Sequence, residues 1–139
     1  MNGIYIKSNS NKVVRIARFD SSKLFLRKYE YQRDLFFGSI PPHQATLFGP
    51  TAIKEIKGFD DNFKLTADLD FFLKLRFKRN LKVLISDQNL VFISDDGVSA
   101  RNTKLRFKEV VKTYFRHYKY LFIIPFLMRY FKKIKTFNL

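Results

Sequence analysis

The residues best suited to chemistry in this chain are carboxylates, one histidine and one amide, gathered between positions 40 and 99. Asp68 and Asp70 open an amphipathic stretch, ADLDFFLKLRF, just after Thr66. A carboxylate fixed at a helix start can take a proton from a hydroxyl. It can also cap the helix, whose N-terminal dipole favours negative charge. On residue type alone, capping is the stronger reading. His43 and Gln44 follow Pro41-Pro42, and a lone histidine is usually structural. The other histidine, His117, lies in a basic stretch and there is no Cys, so no histidine or thiolate metal cluster can be composed. Asp60 and Asp61 follow Gly58-Phe59 and read as a turn with Phe59 packed beneath. Asp95-Asp96 is a pair of the type that binds divalent cations, yet it ends an apolar strand and reads as a turn. The five glycines are scattered singly, so no phosphate loop of Walker or Rossmann type occurs, and no serine triad can be assembled.

Positioning these groups requires strands and helices. Ile4–Ile6 and Val13–Ala17 read as short strands joined by a turn at residues 8–11. Periodicity from Asp20 to Phe37 is ambiguous, with a helix or loop over Ser22 to Tyr31. Pro41-Pro42 forces extended backbone ahead of an expected strand, Gln44 to Phe48. Gly49-Pro50 opens a short helix, Thr51 to Ile56, closed by Lys57-Gly58. With Thr66 as N-cap, a helix is expected from Ala67 to about Lys78, burying Leu69, Phe72, Leu73 and Phe77. Leu81–Ile85 and Leu90–Ile93 read as strands. A last helix should bury Phe107, Val110, Val111, Tyr114, Phe115 and Tyr118, with Lys and Arg opposite. The apolar run Leu121–Met128 is interrupted by Pro125 and is too short to span a bilayer. This order of elements predicts one α/β unit.

The succession IPPHQATLFGP, GFDDNF, TADLDFFLKLRF and ISDDGVS resembles the acceptor-side half of family 2 glycosyltransferases, particularly those building bacterial surface polysaccharides. The resemblance implies a partial nucleotide-diphospho-sugar transferase fold, a mixed sheet with flanking helices, over residues 1–100, followed by an amphipathic helical tail over 101–139. It implies that Asp68 is the general base, deprotonating the acceptor hydroxyl that attacks the anomeric carbon of a nucleotide sugar. His43, Gln44 and Asp70 are implied as substrate-binding residues. The family's metal-binding aspartates precede the base, whereas Asp95-Asp96 follows it beside Gly97-Val98-Ser99, which matches a later family loop. The likeness covers about Ile40 to Ser99, and the tail more weakly. Residues 1–39 fit the variable segment between the two family halves. A donor-binding half carrying Mg or Mn is therefore expected from elsewhere, with no metal held by this chain alone and no independent catalysis. The chain then reads as a fragment, a truncated product or a subunit.

Composition narrows the alternatives. Hydrophobic residues make up 46% and aromatics 17% of the 139 residues, which excludes a disordered segment. The absence of Cys and of an apolar leader near the N-terminus fits a cytoplasmic protein. The formal charge is +15, and residues 101–139 hold 11 Lys or Arg against Glu109 alone. Such a tail attracts polyanions, and an anionic membrane surface is the expected partner. The rival reading is a non-catalytic basic module for membrane or nucleic acid, or a partner subunit of a donor-binding chain. The tail aromatics fall on a stripe apart from the charges, which argues against nucleic acid. An uncovered sheet edge offers a surface for oligomerisation.

Overall fold

The computed structural model of the chain describes residues 2–7, 12–56, 58–94 and 101–137. The N-terminal strand β1 (Asn2–Ile6) is the middle of a three-stranded mixed sheet. The next strand, β2 (Val13–Ala17), pairs with it antiparallel, and a distant strand, β5 (Asn89–Ser94), pairs with it parallel. Ile4 lies opposite both Ile16 and Phe92, while Gly3 and Tyr5 point to the other face, as the period of two requires. A second, two-stranded sheet joins β3 (Phe25–Arg27) antiparallel to β4 (Lys82–Leu84), with Leu26 opposite Val83.

Around these sheets pack α1 (Lys28–Phe36), α2 (Pro50–Ile56), α3 (Ala67–Leu75), α4 (Thr103–Tyr118) and α5 (Ile123–Phe137). Leu26, Tyr31, Leu35, Leu69, Phe72 and Leu73 form the buried centre, and Val110 and Tyr114 of α4 belong to the same cluster. The protein is thus mixed α/β, and its basic C-terminal region shares the core of the preceding residues. Among the described residues, no helix is long and apolar enough to cross a membrane.

Several local expectations are corrected. The strand expected at Gln44–Phe48 is replaced by a 3-10 turn, His43–Ala45. The Ala45 and Thr46 amides donate to the Pro42 and His43 carbonyls, and the Thr46 hydroxyl donates to the Pro42 carbonyl at 2.7 Å, which curls the backbone locally. The ambiguous stretch resolves into β3 followed by α1, which begins where the Glu30 carboxylate accepts the Arg27 amide at 2.7 Å. Helix α3 ends at Leu75, so Phe77 leaves the predicted stripe and is 59% exposed, stacked on His117. Pro125, expected to interrupt the apolar run Leu121–Met128, falls in the first turn of α5, where its missing amide costs nothing and the helix continues through it. In α4, Val110 and Tyr114 are buried as expected, but Phe107 and Phe115 are about half exposed. The turn at residues 8–11, Lys57, and the Asp95-Asp96 and Gly97-Val98-Ser99 segment lie outside the described residues.

Candidate functional site

Asp68 stands in the first turn of α3, and three contacts to α4 fix the position of that helix. Glu109 is the first. Its buried carboxylate accepts the backbone amides of Lys64, Leu65 and Thr66 at 3.1, 2.8 and 3.1 Å, and the Thr66 hydroxyl as well. Thr66 also shares a hydrogen bond with the Thr113 hydroxyl at 3.1 Å. The expected Thr66 side-chain cap is therefore absent: the hydroxyl is drawn to α4 instead. The second contact is Asp70. Its carboxylate is fully buried, 2.8 Å from His117 Nε2 and 2.6 Å from Lys74 Nζ. Burial raises the Asp70 carboxyl, but the hydrogen bonds from His117 and Lys74 outweigh it and hold the group below its ordinary value. The third is Arg76, whose guanidinium donates to the His117 carbonyl and lies 3.9 Å from the centre of the Tyr118 ring.

The turn bearing His43 and Gln44 is seated under the sheet. A Cβ on Gly3 would come within 2.7 Å of the Ile93 side chain and 3.9 Å of Ala45, so glycine lets β1 lie close over β5 and this turn. The His43 ring meets Phe59 edge-on at 5.7 Å and Phe48 at 6.3 Å. Phe59 in turn packs on Phe71 at 5.0 Å. The Gly58-Phe59-Asp60-Asp61 segment is a turn: Gly58 has φ +86°, and Asp60 accepts the Asn62 amide at 3.0 Å and an ion pair from Arg116. That pairing holds the Asp60 carboxyl well below the usual carboxylate range.

These elements enclose an open cleft of about 510 Å³ to which His43, Gln44 and Asp68 all contribute. Its opposite wall is α5, with Met128, Arg129, Phe131, Lys132 and Lys133. Helix α5 crosses very near Gly38, whose φ is +81° and where a Cβ would fall 2.3 Å from the Arg129 backbone nitrogen. Lys132 donates to Asp20 across the cleft at 2.9 Å, which lowers the Asp20 carboxyl below its ordinary value. Asp68 Oδ1 accepts the Leu69 amide at 2.8 Å, and among the described residues its side chain makes no other hydrogen bond or ion pair. The half-buried carboxylate therefore keeps an oxygen for a ligand.

Searched against family models, curated proteins and solved structures, the chain matches none.

Of the four residues expected at a site, three meet at this cleft. Asp70 does not, because its side chain is consumed in joining α3 to α4. No group of three potential metal ligands occurs among the described residues. The two cleft carboxylates, Asp20 and Asp68, sit among Arg18, Arg129, Lys132 and Lys133, with Asp20 held by Lys132. That donor set does not suit a divalent cation, which takes several hard oxygen ligands and little neighbouring positive charge. Glu109, His117 and the cationic wall of α5 were not legible as site residues. A signal was present for the first two, since Glu109, Thr113 and His117 repeat every four positions on one helical face.

Proposed function

We propose that this chain is the acceptor-binding half of an inverting glycosyltransferase, with Asp68 as general base. The observation that carries the reading is the half-buried Asp68 carboxylate, held at a helix start in a cleft shared with His43 and Gln44. A sugar hydroxyl lying over Asp68 would pass its proton to the carboxylate as its oxygen attacks the anomeric carbon of the donor sugar, while the bond from that carbon to the nucleotide diphosphate breaks and the diphosphate leaves. Gln44 and the His43 ring, held between Phe48 and Phe59, would orient the sugar. The nucleotide diphosphate and its Mg or Mn are assigned to a donor-binding half, because the cleft carboxylates Asp20 and Asp68 sit among cations, with Asp20 held by Lys132, and do not suit the metal. The chain alone then binds acceptor glycan and turns over no nucleotide sugar.

We infer further that α5 seats this half on an anionic membrane face. Ile123, Ile124, Leu127, Phe131 and Ile134 are all exposed and fall within an arc of about 100° on the helix. An exposed apolar stripe on a helix of a strongly basic chain is the pattern of an interfacial helix. Binding to phosphatidylglycerol vesicles that weakens with salt, and none to neutral vesicles, checks this seat.

The two histidines make the catalytic reading testable by NMR. His43 borders the cleft and His117 is locked against Asp70. Acceptor glycans should shift the His43 ring resonances and leave those of His117 in place. With a complementing donor-binding half supplied, Asp68→Asn should abolish transfer and leave the fold unchanged, since an amide cannot take the proton. Absence of any glycan-induced shift at His43, or near-normal transfer by the Asn variant, defeats the reading.

A further inference from the structure

Strand β4 has two edges, and β3 takes one of them. The Ile85 amide donates to the Leu24 carbonyl at 2.7 Å, and the register sets Leu26 opposite Val83. In an antiparallel ladder, hydrogen-bonded and non-hydrogen-bonded pairs alternate. Ile85 and Val83 therefore bond toward β3, whereas Lys82 and Leu84 turn their amides and carbonyls to the other edge. Among the described residues, no backbone group is bonded to that edge.

A cavity of about 300 Å³ runs along it. All of residues 81–85 line this cavity, both Val83 and Ile85, which pack on the core, and Lys82 and Leu84, which face outward. No residue of β3 lines it, so the space lies beside β4 on the side away from its partner. The far wall is residues 45–49, where Thr46 is extended at φ −122°, ψ 125°. Among the described residues, the amides of Leu47 and Phe48 make no hydrogen bond. The core side chains Tyr31, Phe72 and Leu75 border the space from within. At the rim, Leu84 and Leu47 are 72% and 80% exposed. Lys82 is exposed, stands opposite Arg27 across the ladder, and among the described residues makes no ion pair. Like charges directly opposite in a sheet repel, so this corner of the slot favours an added negative charge.

From this geometry we infer that the slot accepts an extended segment of an acidic partner protein, added to the sheet as a strand beside β4. Side chains of a strand alternate between two faces, so three consecutive residues of the segment meet different surroundings. The middle one enters the cavity toward Phe72 and must be apolar. Its neighbours lie outward, one an acid beside Lys82, the other apolar beside Leu84 and Leu47. Main-chain bonds to Lys82 and Leu84 supply affinity, and the cavity and Lys82 supply choice, as in strand addition at other open sheet edges. The formal charge of +15 favours an acidic partner over a second copy of this chain, which would bring the same charge. The slot shares only Pro41 and Pro42 with the cleft of Asp68, and the inference stands apart from the acceptor-half reading.

The test is calorimetric titration of the full chain with the blocked pentapeptide acetyl-Thr-Glu-Phe-Val-Thr-amide. Its reversed order, acetyl-Thr-Val-Phe-Glu-Thr-amide, is titrated as well, since a strand can add parallel or antiparallel. One order should bind about tenfold more tightly than the same peptide with Lys for Glu or Ala for Phe. Leu84→Pro deletes an edge amide that no ladder bond uses, and should weaken binding about fivefold with the circular dichroism spectrum unchanged. Lys82→Glu alters an exposed side chain and should reverse the preference, so that the Lys peptide binds better than the Glu peptide. Should Leu84→Pro change the spectrum, Lys82→Glu alone decides. Absence of binding in both orders overturns the assignment, and so does a Lys82→Glu variant that still prefers the Glu peptide. Binding that a folded Leu84→Pro variant keeps in full would show an apolar cavity without strand addition, and overturns it too. Sedimentation of the chain alone checks the other occupant: a dimer that the peptide dissociates would give the slot to a second copy instead.

Discussion

Replacing Glu109 with alanine tests whether α4 holds the start of α3, and hence Asp68, in place. The carboxylate accepts three backbone amides within 3.1 Å, and they differ in burial. Lys64 is exposed and its amide can rehydrate; Leu65 is half-buried; Thr66 is buried. A buried donor left without a partner costs about 1–3 kcal/mol. Counting Thr66 in full and Leu65 in part gives a loss of about 2–4 kcal/mol, a large share of a small domain's stability. Glu109→Gln keeps one acceptor oxygen and should lose about half as much. With seven Tyr and no Trp, urea unfolding is best followed by far-UV circular dichroism and tyrosine emission. The midpoint should fall with the slope unchanged. Hydrogen exchange should also quicken at the amides of residues 64–66 ahead of those in α1. A loss below about 0.5 kcal/mol for the alanine variant, with these amides still protected, would refute the clamp.

Asp70 sets a pH dependence. Its folded carboxyl lies below the ordinary 3.8, so the folded chain takes up this proton less readily than the unfolded chain. Its contribution is therefore present above about pH 3.8 and is lost as pH falls through the folded value. Asp70→Asn should lower stability at neutral pH and flatten the acid limb of the stability profile, measured by urea unfolding from pH 7 down to pH 3. Gly38→Ala meets both a left-handed backbone and the Arg129 main chain. It should cost about 1–3 kcal/mol for the backbone alone and release α5, read as faster amide exchange over residues 123–134. Tyr114→Ala empties a fully buried site between α4 and the core and should cost about 3–5 kcal/mol by thermal or urea unfolding.

The parts of the fold that were legible in the sequence are those where one local rule decides. Strands β1 and β2 show through β-branched residues, and α3 through a run of apolar spacings opening on an acidic turn. The segment from Gln44 to Phe48 misled because extended, apolar residues after a double proline fit a strand. What decides it is a pair of short-range amide bonds and the Thr46 hydroxyl bond to the Pro42 carbonyl. The face of α4 misled for a different reason. Hydrophobicity alone centres it near Phe107 and Tyr118, with Val110 and Phe115 at its edges, but Glu109, Thr113 and His117 each find a partner at α3 or the turn before it, and the helix rotates toward the Val110 and Tyr114 side to deliver them. Long-range polar pairing therefore overrode the apolar stripe.

The same pairing explains why two neighbouring aspartates take different parts. Asp68 and Asp70 are two positions apart in one helical turn, so they leave the axis in widely different directions. One direction leads into the cleft and the other into α4. His117 supplies the partner that keeps Asp70 buried and ionised, and Glu109 fixes the turn from which both residues emerge. A clamp on that turn also fixes the direction of Asp68, because a helix of nine residues has little freedom to rotate once Glu109, His117 and the Arg76 bond hold it along its length. Asp68 can then keep one carboxylate oxygen unpaired, since the α4 side of the helix supplies the anchoring. A substitution at Glu109 should consequently disturb His43-reported ligand binding as well as stability, whereas Asp68→Asn should change ligand chemistry with stability intact. That separation follows only if the α3–α4 contacts position the carboxylate and the carboxylate itself holds up nothing.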